Sequence, residues 1–229
     1  MALLPRLRQL MRRPTSASRV GARRPTNAAR RGDTLHEDAL RSMLSDDPNN
    51  VRAFQALAEI VRRRAAESVT ADDPLAAEQA ETERQQAADL AVWSLGEELA
   101  GNPRAWYPLI ELARLSIVDD HEGAIRRLTT AAERDPSGHA IAQGVALLCE
   151  VGLPAEALNL GVGHWRPREQ DPEIGRWLVR AAIQAGRPLE AKQHLQSLSL
   201  YPDQAAIADM RKELVREVAR AQESIPGSS

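Results

Sequence analysis

The sequence predicts an all-α protein, and three observations support that prediction. First, Ala, Leu, Glu, Gln and Arg dominate the 229 residues, whereas aromatic residues, which favour strands, make up 3% of them. Second, the apolar residues keep a helical spacing from Thr34 onward. Third, proline and alanine recur at intervals typical of a repeated helix pair. We therefore expect almost no sheet.

Five dipeptides that end in proline divide the helical region. Proline fits the first turn of a helix because the N–H that it lacks has no partner there. An Asp or Asn before the proline can cap the free N–H groups of that turn. We therefore expect each dipeptide to end one helix and to open the next. The five are Asp47-Pro48, Asn102-Pro103, Asp135-Pro136, Asp171-Pro172 and Tyr201-Pro202.

Alanine marks the second helix of each pair. Ala91, Ala124, Ala157 and Ala191 are separated by 33, 33 and 34 residues, which is the period of helix-turn-helix repeats. We expect a small residue at these positions because the two helices of a pair cross closely there. Two of the alanines follow matching turns in which Gly can end one helix and Pro can start the next, namely Gly152-Leu153-Pro154 and Gly186-Arg187-Pro188.

The region from Thr34 to the last helix resembles the tetratricopeptide repeat (TPR) family. Segments 104–136 and 137–172 match the family pattern in part, and segment 173–201 matches it best. The resemblance implies a right-handed α-solenoid of TPR-like helix-turn-helix repeats, in which the first helices line a concave groove. The best segment keeps the family's residues in order and approximate spacing, namely Trp177, Leu178, Gly186, Ala191, Leu195 and Tyr201-Pro202.

The repeats predict a domain that covers residues 33–223. Its first full repeat departs most from the pattern, because a polar insertion at about 62–86 separates the two helices. We expect a loop near 67–72, followed by a long helix that runs to Leu99. Residues 34–46 form a leading half-repeat, 204–222 a closing helix with a polar outer face, and 224–229 a disordered C-terminus.

Residues 1–32 form a basic tail that we expect to be mostly disordered. The tail contains nine arginines and no Asp or Glu, whereas the rest of the chain has 21 basic and 32 acidic residues and a net charge of −11. Such a tail is typical of an arm that contacts polyanions. The arginines are Arg6, Arg8, Arg12, Arg13, Arg19, Arg23, Arg24, Arg30 and Arg31.

The tail has three functional interpretations and one inert one. It can dock on RNA, DNA or the ribosome, anchor the protein to an anionic membrane, or direct it to an organelle. The membrane interpretation uses Leu3, Leu7 and Leu10, which share one face of a short amphipathic helix. Otherwise the tail is solvated and has no function. We rank the nucleic-acid arm first and the membrane anchor second.

The sequence shows no pattern that indicates catalysis. The five histidines lack metal-ligand spacing, and Gly161-Val162-Gly163 lacks the rest of a dinucleotide fingerprint. The single cysteine, Cys149, excludes an intramolecular disulfide, and we expect it to be a buried apolar side chain. We therefore expect a protein that is not an enzyme and has no cofactor, no metal and no small-molecule substrate.

The resemblance to TPR proteins implies a partner protein or peptide and a set of residues that face the groove. Within this set Arg176 and Arg180 lie one helical turn apart, so together they could hold a carboxylate of the partner. The alternative is that both arginines belong to a solvated helix face. We expect a cytoplasmic protein, peripheral to the ribosome, nucleoid or membrane if the tail acts there. The groove residues are Arg52, Gln55, Glu59, Tyr107, Glu111, Arg114, Arg176 and Arg180.

Overall fold

The computed structural model describes residues 27–69 and 77–223, and within them the chain is helical without a strand. This confirms the predicted all-α class. Residues from His36 onward form one compact unit. The ten α-helices of the described residues are α1 (Asn27–Asp46), α2 (Val51–Ser68), α3 (Ala77–Ala100), α4 (Tyr107–Ser116), α5 (His121–Arg134), α6 (His139–Glu150), α7 (Pro154–His164), α8 (Glu173–Gln184), α9 (Pro188–Ser197) and α10 (Ala208–Glu223), with a 3₁₀ turn at Leu198–Leu200.

Consecutive helices pack in pairs. Helix α2 packs against α3, α4 against α5, α6 against α7, and α8 against α9. The second helix of each pair also packs against the first helix of the following pair, and α9 packs in the same way against α10. In addition, α6 contacts both α4 and α8, and α10 contacts α8. We call α2, α4, α6 and α8 the first helices.

Two clusters of buried apolar residues form the core. One joins the second half of α1 to α2, α3 and the start of α4, and it contains Leu44, Phe54 and Leu57. The other runs from α4 to α10, beginning near Leu109 and ending at Val218. The side chain of Trp106 packs against both clusters. The core therefore continues from one helix pair into the next.

The turns inside two helix pairs confirm the predicted roles of glycine and proline. Gly152 and Gly186 have φ angles of +80° and +71°, a left-handed conformation that glycine adopts without a steric penalty. Helices α7 and α9 then begin at Pro154 and Pro188, as expected. The Leu153 N–H donates to the Leu148 carbonyl at 2.8 Å, which completes the turn at the end of α6.

The proline dipeptides do not cap the helices in the way that we predicted. Asp47 accepts a hydrogen bond from the Asn49 N–H at 3.0 Å, and it is Asn50 that caps α2, by accepting from the Ala53 N–H at 3.0 Å. Helices α4, α6 and α10 likewise begin several residues after their prolines. Before α2, α4 and α6 the physical reason is that Asp47, Asn102 and Asp135 each accept a hydrogen bond from the N–H two residues ahead and so close a local turn. Helix α8 alone among these begins directly after its proline, Pro172.

The small residues mark close helix contacts at three of the four predicted positions. Ala124, Ala157 and Ala191 are fully buried, whereas Ala91 is half-buried. Glycine serves the same purpose between α7 and α8, because a Cβ atom on Gly161 would lie 2.5 Å from Leu178 Cδ2. Within the Gly161-Val162-Gly163 fragment, Gly161 therefore serves helix packing, whereas a Cβ atom on Gly163 would meet nothing within 4 Å.

Polar side chains fasten the α2–α3 pair to the α4–α5 pair. Asn49 Oδ1 accepts from the N–H groups of Trp106 and Tyr107, at 2.7 and 3.0 Å, so it caps the start of α4 from 57 residues away in sequence. Arg134 Nη1 donates to three carbonyl oxygens around the α3–α4 connection, namely those of Ala100, Asn102 and Ala105, at 2.9, 3.1 and 2.9 Å. These contacts satisfy backbone groups that the helix ends leave without partners.

The chain ends and the insertion differ in detail from the prediction. Helix α1 begins at Asn27, so residues 27–32, which we expected in the tail, are helical. Ala28 and Ala29 are strong helix formers and extend the helix backward. Residues 62–68 and 77–86 of the insertion form the last turns of α2 and the first turns of α3, and residues 70–72 of the expected loop near 67–72 lie outside the described residues. Residues 1–26 and 224–229, which we predicted to be disordered, lie outside the described residues.

We predict that Ala157→Arg destabilises the protein by about 3 kcal/mol or more, because it forces a charged side chain into a fully buried helix crossing. Ala155→Arg is the matched control, since Ala155 lies on the exposed side of the same helix. Urea unfolding followed by circular dichroism measures both free energies of unfolding. Equal stability of the two variants would contradict the packing of α7.

We also predict that Asn49→Ala lowers the free energy of unfolding by about 1 to 3 kcal/mol, because two N–H groups at the start of α4 lose their acceptor. The control is Asn159→Ala, which changes an exposed residue of α7. Thermal unfolding compares them. A melting temperature that falls no further in Asn49→Ala than in the control would show that the hydrogen bonds to Asn49 Oδ1 do not stabilise the fold.

Candidate protein-interaction face

The first helices carry all eight residues that were predicted to line a groove, and we call the solvent-facing sides of α2, α4, α6 and α8 the first-helix face. Seven of the eight residues are exposed or half-buried, whereas Tyr107 is buried. A series of side-chain contacts links these helices in order. It starts on α2, where Gln55 Nε2 donates to Tyr107 Oη on α4 at 3.3 Å. Four of the predicted residues, Gln55, Tyr107, Glu111 and Arg114, are brought together in this way.

Tyr107 takes part in this series through its hydroxyl group. Its ring is 3% exposed and packs edge-on against Phe54, with the ring centroids 5.3 Å apart. Burial of the phenol raises its pKa well above the usual value, and the neighbouring Glu111 carboxylate raises it further. The hydroxyl therefore stays protonated, while the ring belongs to the core and offers no surface to a partner.

Glu111, Arg114 and Glu150 continue the series from α4 to α6. Arg114 Nε lies 4.0 Å from Glu111 Oε1, and its Nη1 lies 3.2 Å from Glu150 Oε2. The side chains of Arg114 and Glu150 are 47% and 55% exposed, so water screens their attraction. Both groups can exchange this ion pair for contacts with a partner at little cost.

Next to Glu150, the contact between α6 and α8 uses the backbone. Gln184 Nε2 donates to the Cys149 carbonyl oxygen at 3.2 Å. The Cys149 side chain is buried, as expected, and burial raises the pKa of its thiol to about 11. The thiol is therefore protonated at neutral pH.

Arg180 does not share a free carboxylate site with Arg176. Arg180 Nη2 lies 2.8 Å from Glu213 Oε1 and 3.0 Å from Glu217 Oε1, both on α10, and its guanidinium lies over the Trp177 ring. The Glu217 hydrogen bond raises the pKa of Arg180. Arg176 pairs instead with Glu173 of its own helix at 3.2 Å. The chain itself supplies the carboxylates that we expected from a partner.

Arg52 and Glu59 of α2 remain exposed. Within residues 27–69 and 77–223, neither side chain has a hydrogen bond or an ion pair. They lie on the same helix as Gln55, whose amide reaches Tyr107. The α2 part of the first-helix face thus offers a cation, an amide and a carboxylate to solvent.

Sequence reasoning missed Glu150, Glu213 and Glu217. The last two are spaced i, i+4 on the predicted closing helix, which matches the i, i+4 spacing of Arg176 and Arg180, so a complementary pattern was present in the sequence. Nothing in the sequence, however, placed the closing helix against α8. That placement depends on the packing of Leu214 and Val218.

Trp93 and His121 are a packing residue and a surface residue. Trp93 lies beneath the Arg127 guanidinium, 4.8 Å from it, and His121 faces Glu156 at 3.7 Å on the surface. No group of three or more potential metal ligands occurs among the described residues. In the tail, Arg30 and Arg31 lie in α1, and the other seven arginines lie outside the described residues.

Comparisons with models of protein families, with curated proteins and with solved structures found no match to this chain. In the part of the chain that the structure describes, no helix is both long enough and apolar enough to cross a membrane.

Proposed function

We propose that the chain is a non-enzymatic scaffold and that its helix pairs continue one another as a right-handed, TPR-like solenoid. The pairwise packing of α2 to α9, with each second helix against the next first helix, supports this architecture. A partner protein or peptide binds along the first-helix face. The proposal includes no reaction on that partner.

The α2 part of the first-helix face is the observation that carries the proposal. Arg52, Gln55 and Glu59 project into solvent from successive turns, although the interior side of the same helix is fully packed. Arg52 and Glu59 are seven residues apart, which separates them by about 10 Å along the helix. Opposite charges at this separation select a partner segment with the complementary charges in the reverse order.

The α4–α6 part of the face extends this surface. The Arg114–Glu150 pair is exposed and connects two successive first helices. A partner that lies across both helices can insert its own polar groups between these side chains. Several weak polar contacts along one surface provide specificity, and they add affinity when the surface is already rigid.

We predict that a photoreactive amino acid in place of Glu59 crosslinks to a partner when the full chain is expressed in its native cell. Position 59 is exposed and lies on the first-helix face. The matched control places the same group at Arg126 of α5, a second helix, where the side chain is 71% exposed. Mass spectrometry identifies the captured protein from each position.

One defined protein captured from position 59, and absent from position 126, is the expected result. Replacement of Arg52 by Glu should then weaken the binding of that protein about tenfold, since a like charge would replace the matching one. Capture of the same proteins from both positions would refute a specific first-helix face.

The charge of residues 1–32 favours a second function, adhesion to a polyanion such as RNA, DNA or the ribosome, or to an anionic membrane. Nine arginines without an acidic residue precede a body with a net charge of −11. Binding through such a segment releases counterions and depends steeply on salt. The scaffold would then hold its partner at a nucleic-acid or membrane surface.

We predict that deletion of residues 1–26 removes binding to RNA and to anionic vesicles and leaves the helical circular dichroism signal intact, because α1 begins at Asn27. If about half of the seven deleted arginines contact phosphates, the slope of log affinity against log salt changes by about 3. The double variant Leu7→Glu/Leu10→Glu distinguishes membrane binding from RNA binding, because it should abolish the binding of vesicles and only reduce the binding of RNA. Unchanged binding after the deletion would assign adhesion to the helical region.

A further inference from the structure

Helix α10 binds the end of the first-helix face through a repeated pair of contacts. Glu213 and Glu217, one turn apart, both reach Arg180 of α8. Each glutamate is followed by a buried apolar residue, Leu214 at 0% and Val218 at 4% exposure. The sequence Glu-Leu-x-x-Glu-Val therefore presents a carboxylate and an apolar side chain on two successive turns.

Helix α10 contributes fewer buried residues than α8, the first helix against which it packs. Two of the 16 residues of α10 are buried, whereas α8 buries six of its 12. A cavity of about 580 Å³ separates its last turns from the α8–α9 turn, and Glu217, Ala221 and Pro188 line this cavity. Since buried apolar area provides most of the stability of a docked helix, α10 should open at lower free energy than α8.

We propose that α10 is an internal ligand, and that the α8–α9 surface beneath it binds a partner's amphipathic helix of the same chemistry, with carboxylates one turn apart that are each followed by an apolar residue. The inference rests on the proposed scaffold function and identifies the partner class at one end of the face. Arg180 recognises the two carboxylates, and the positions under Leu214 and Val218 receive the apolar side chains.

The link between α9 and α10 determines how strongly α10 competes with such a helix. Residues 198–207, which begin with the 3₁₀ turn, join α9 to α10, and a link this short keeps the internal helix at an effective concentration of about millimolar. A free helix of equal intrinsic affinity therefore binds the wild-type protein weakly. Loss of the two carboxylates from α10 lowers its hold on Arg180 and makes the surface available.

The test uses the full chain and a fluorescent peptide that copies residues 204–223. In fluorescence anisotropy, the peptide should bind the Glu213→Gln/Glu217→Gln protein about tenfold or more tightly than the wild type, because its own glutamates replace the missing ones on Arg180. Arg180→Gln added to this variant should remove the gain. The control variant Asp209→Asn/Glu223→Gln changes two exposed α10 carboxylates and should bind the peptide as the wild type does.

Equal binding to all variants, or a gain that survives Arg180→Gln, would overturn the proposal. Hydrogen exchange on the wild-type protein is the second measurement, and it stays informative if a variant fails to fold. The α10 amides should exchange at least about tenfold faster than those of α8, and equal protection would show that α10 is a permanent part of the fold. Either negative result leaves the crosslink from Glu59 on α2 untouched, so the scaffold function is tested separately.

Discussion

No helix pair in this protein can bury its apolar side without a neighbouring pair, and the rest of the structure depends on that constraint. The larger core cluster runs from α4 to α10, and Trp106 links it to the cluster formed by α1 to α4. Each pair therefore buries part of its apolar surface against the pairs on either side. Helix α10, the last of the described helices, packs against α8 and α9 and buries two of its 16 residues.

Polar contacts between helix pairs fix the positions of the first helices relative to one another. Asn49 and Arg134 bind backbone groups of the adjacent repeat, so they fix where α4 begins relative to α2 and α5. The first helices are then held at fixed spacing, and contacts such as Arg114–Glu150 can form between them. The proposed binding face would need no mobile loop, because its side chains stand on helices.

The features that the sequence predicted well are local ones. Gly152-Leu-Pro and Gly186-Arg-Pro define their turns through backbone conformation, which nearby residues determine, and the structure confirms both. The helix starts near Pro48 and Pro103 were wrong by several residues, since an Asx turn competes with a helix cap and sequence alone does not decide between them. The partners of Arg180 depend on how α10 packs, and the capping of α4 by Asn49 spans 57 residues. The sequence does not show which helices such long-range contacts join.

The proposed solenoid predicts that the first helices are arranged in a row and not around a common centre. Spin labels at Glu59 on α2 and Gln184 on α8 would measure this by double electron–electron resonance. Neighbouring packed helices lie about 8–10 Å apart, so three steps along the row give a distance of about 30 Å. A distance near that value agrees with a continuous face along α2, α4, α6 and α8. A distance of about 10 Å would place α2 against α8, as in a closed bundle, and would contradict the array on which the proposed binding face is built.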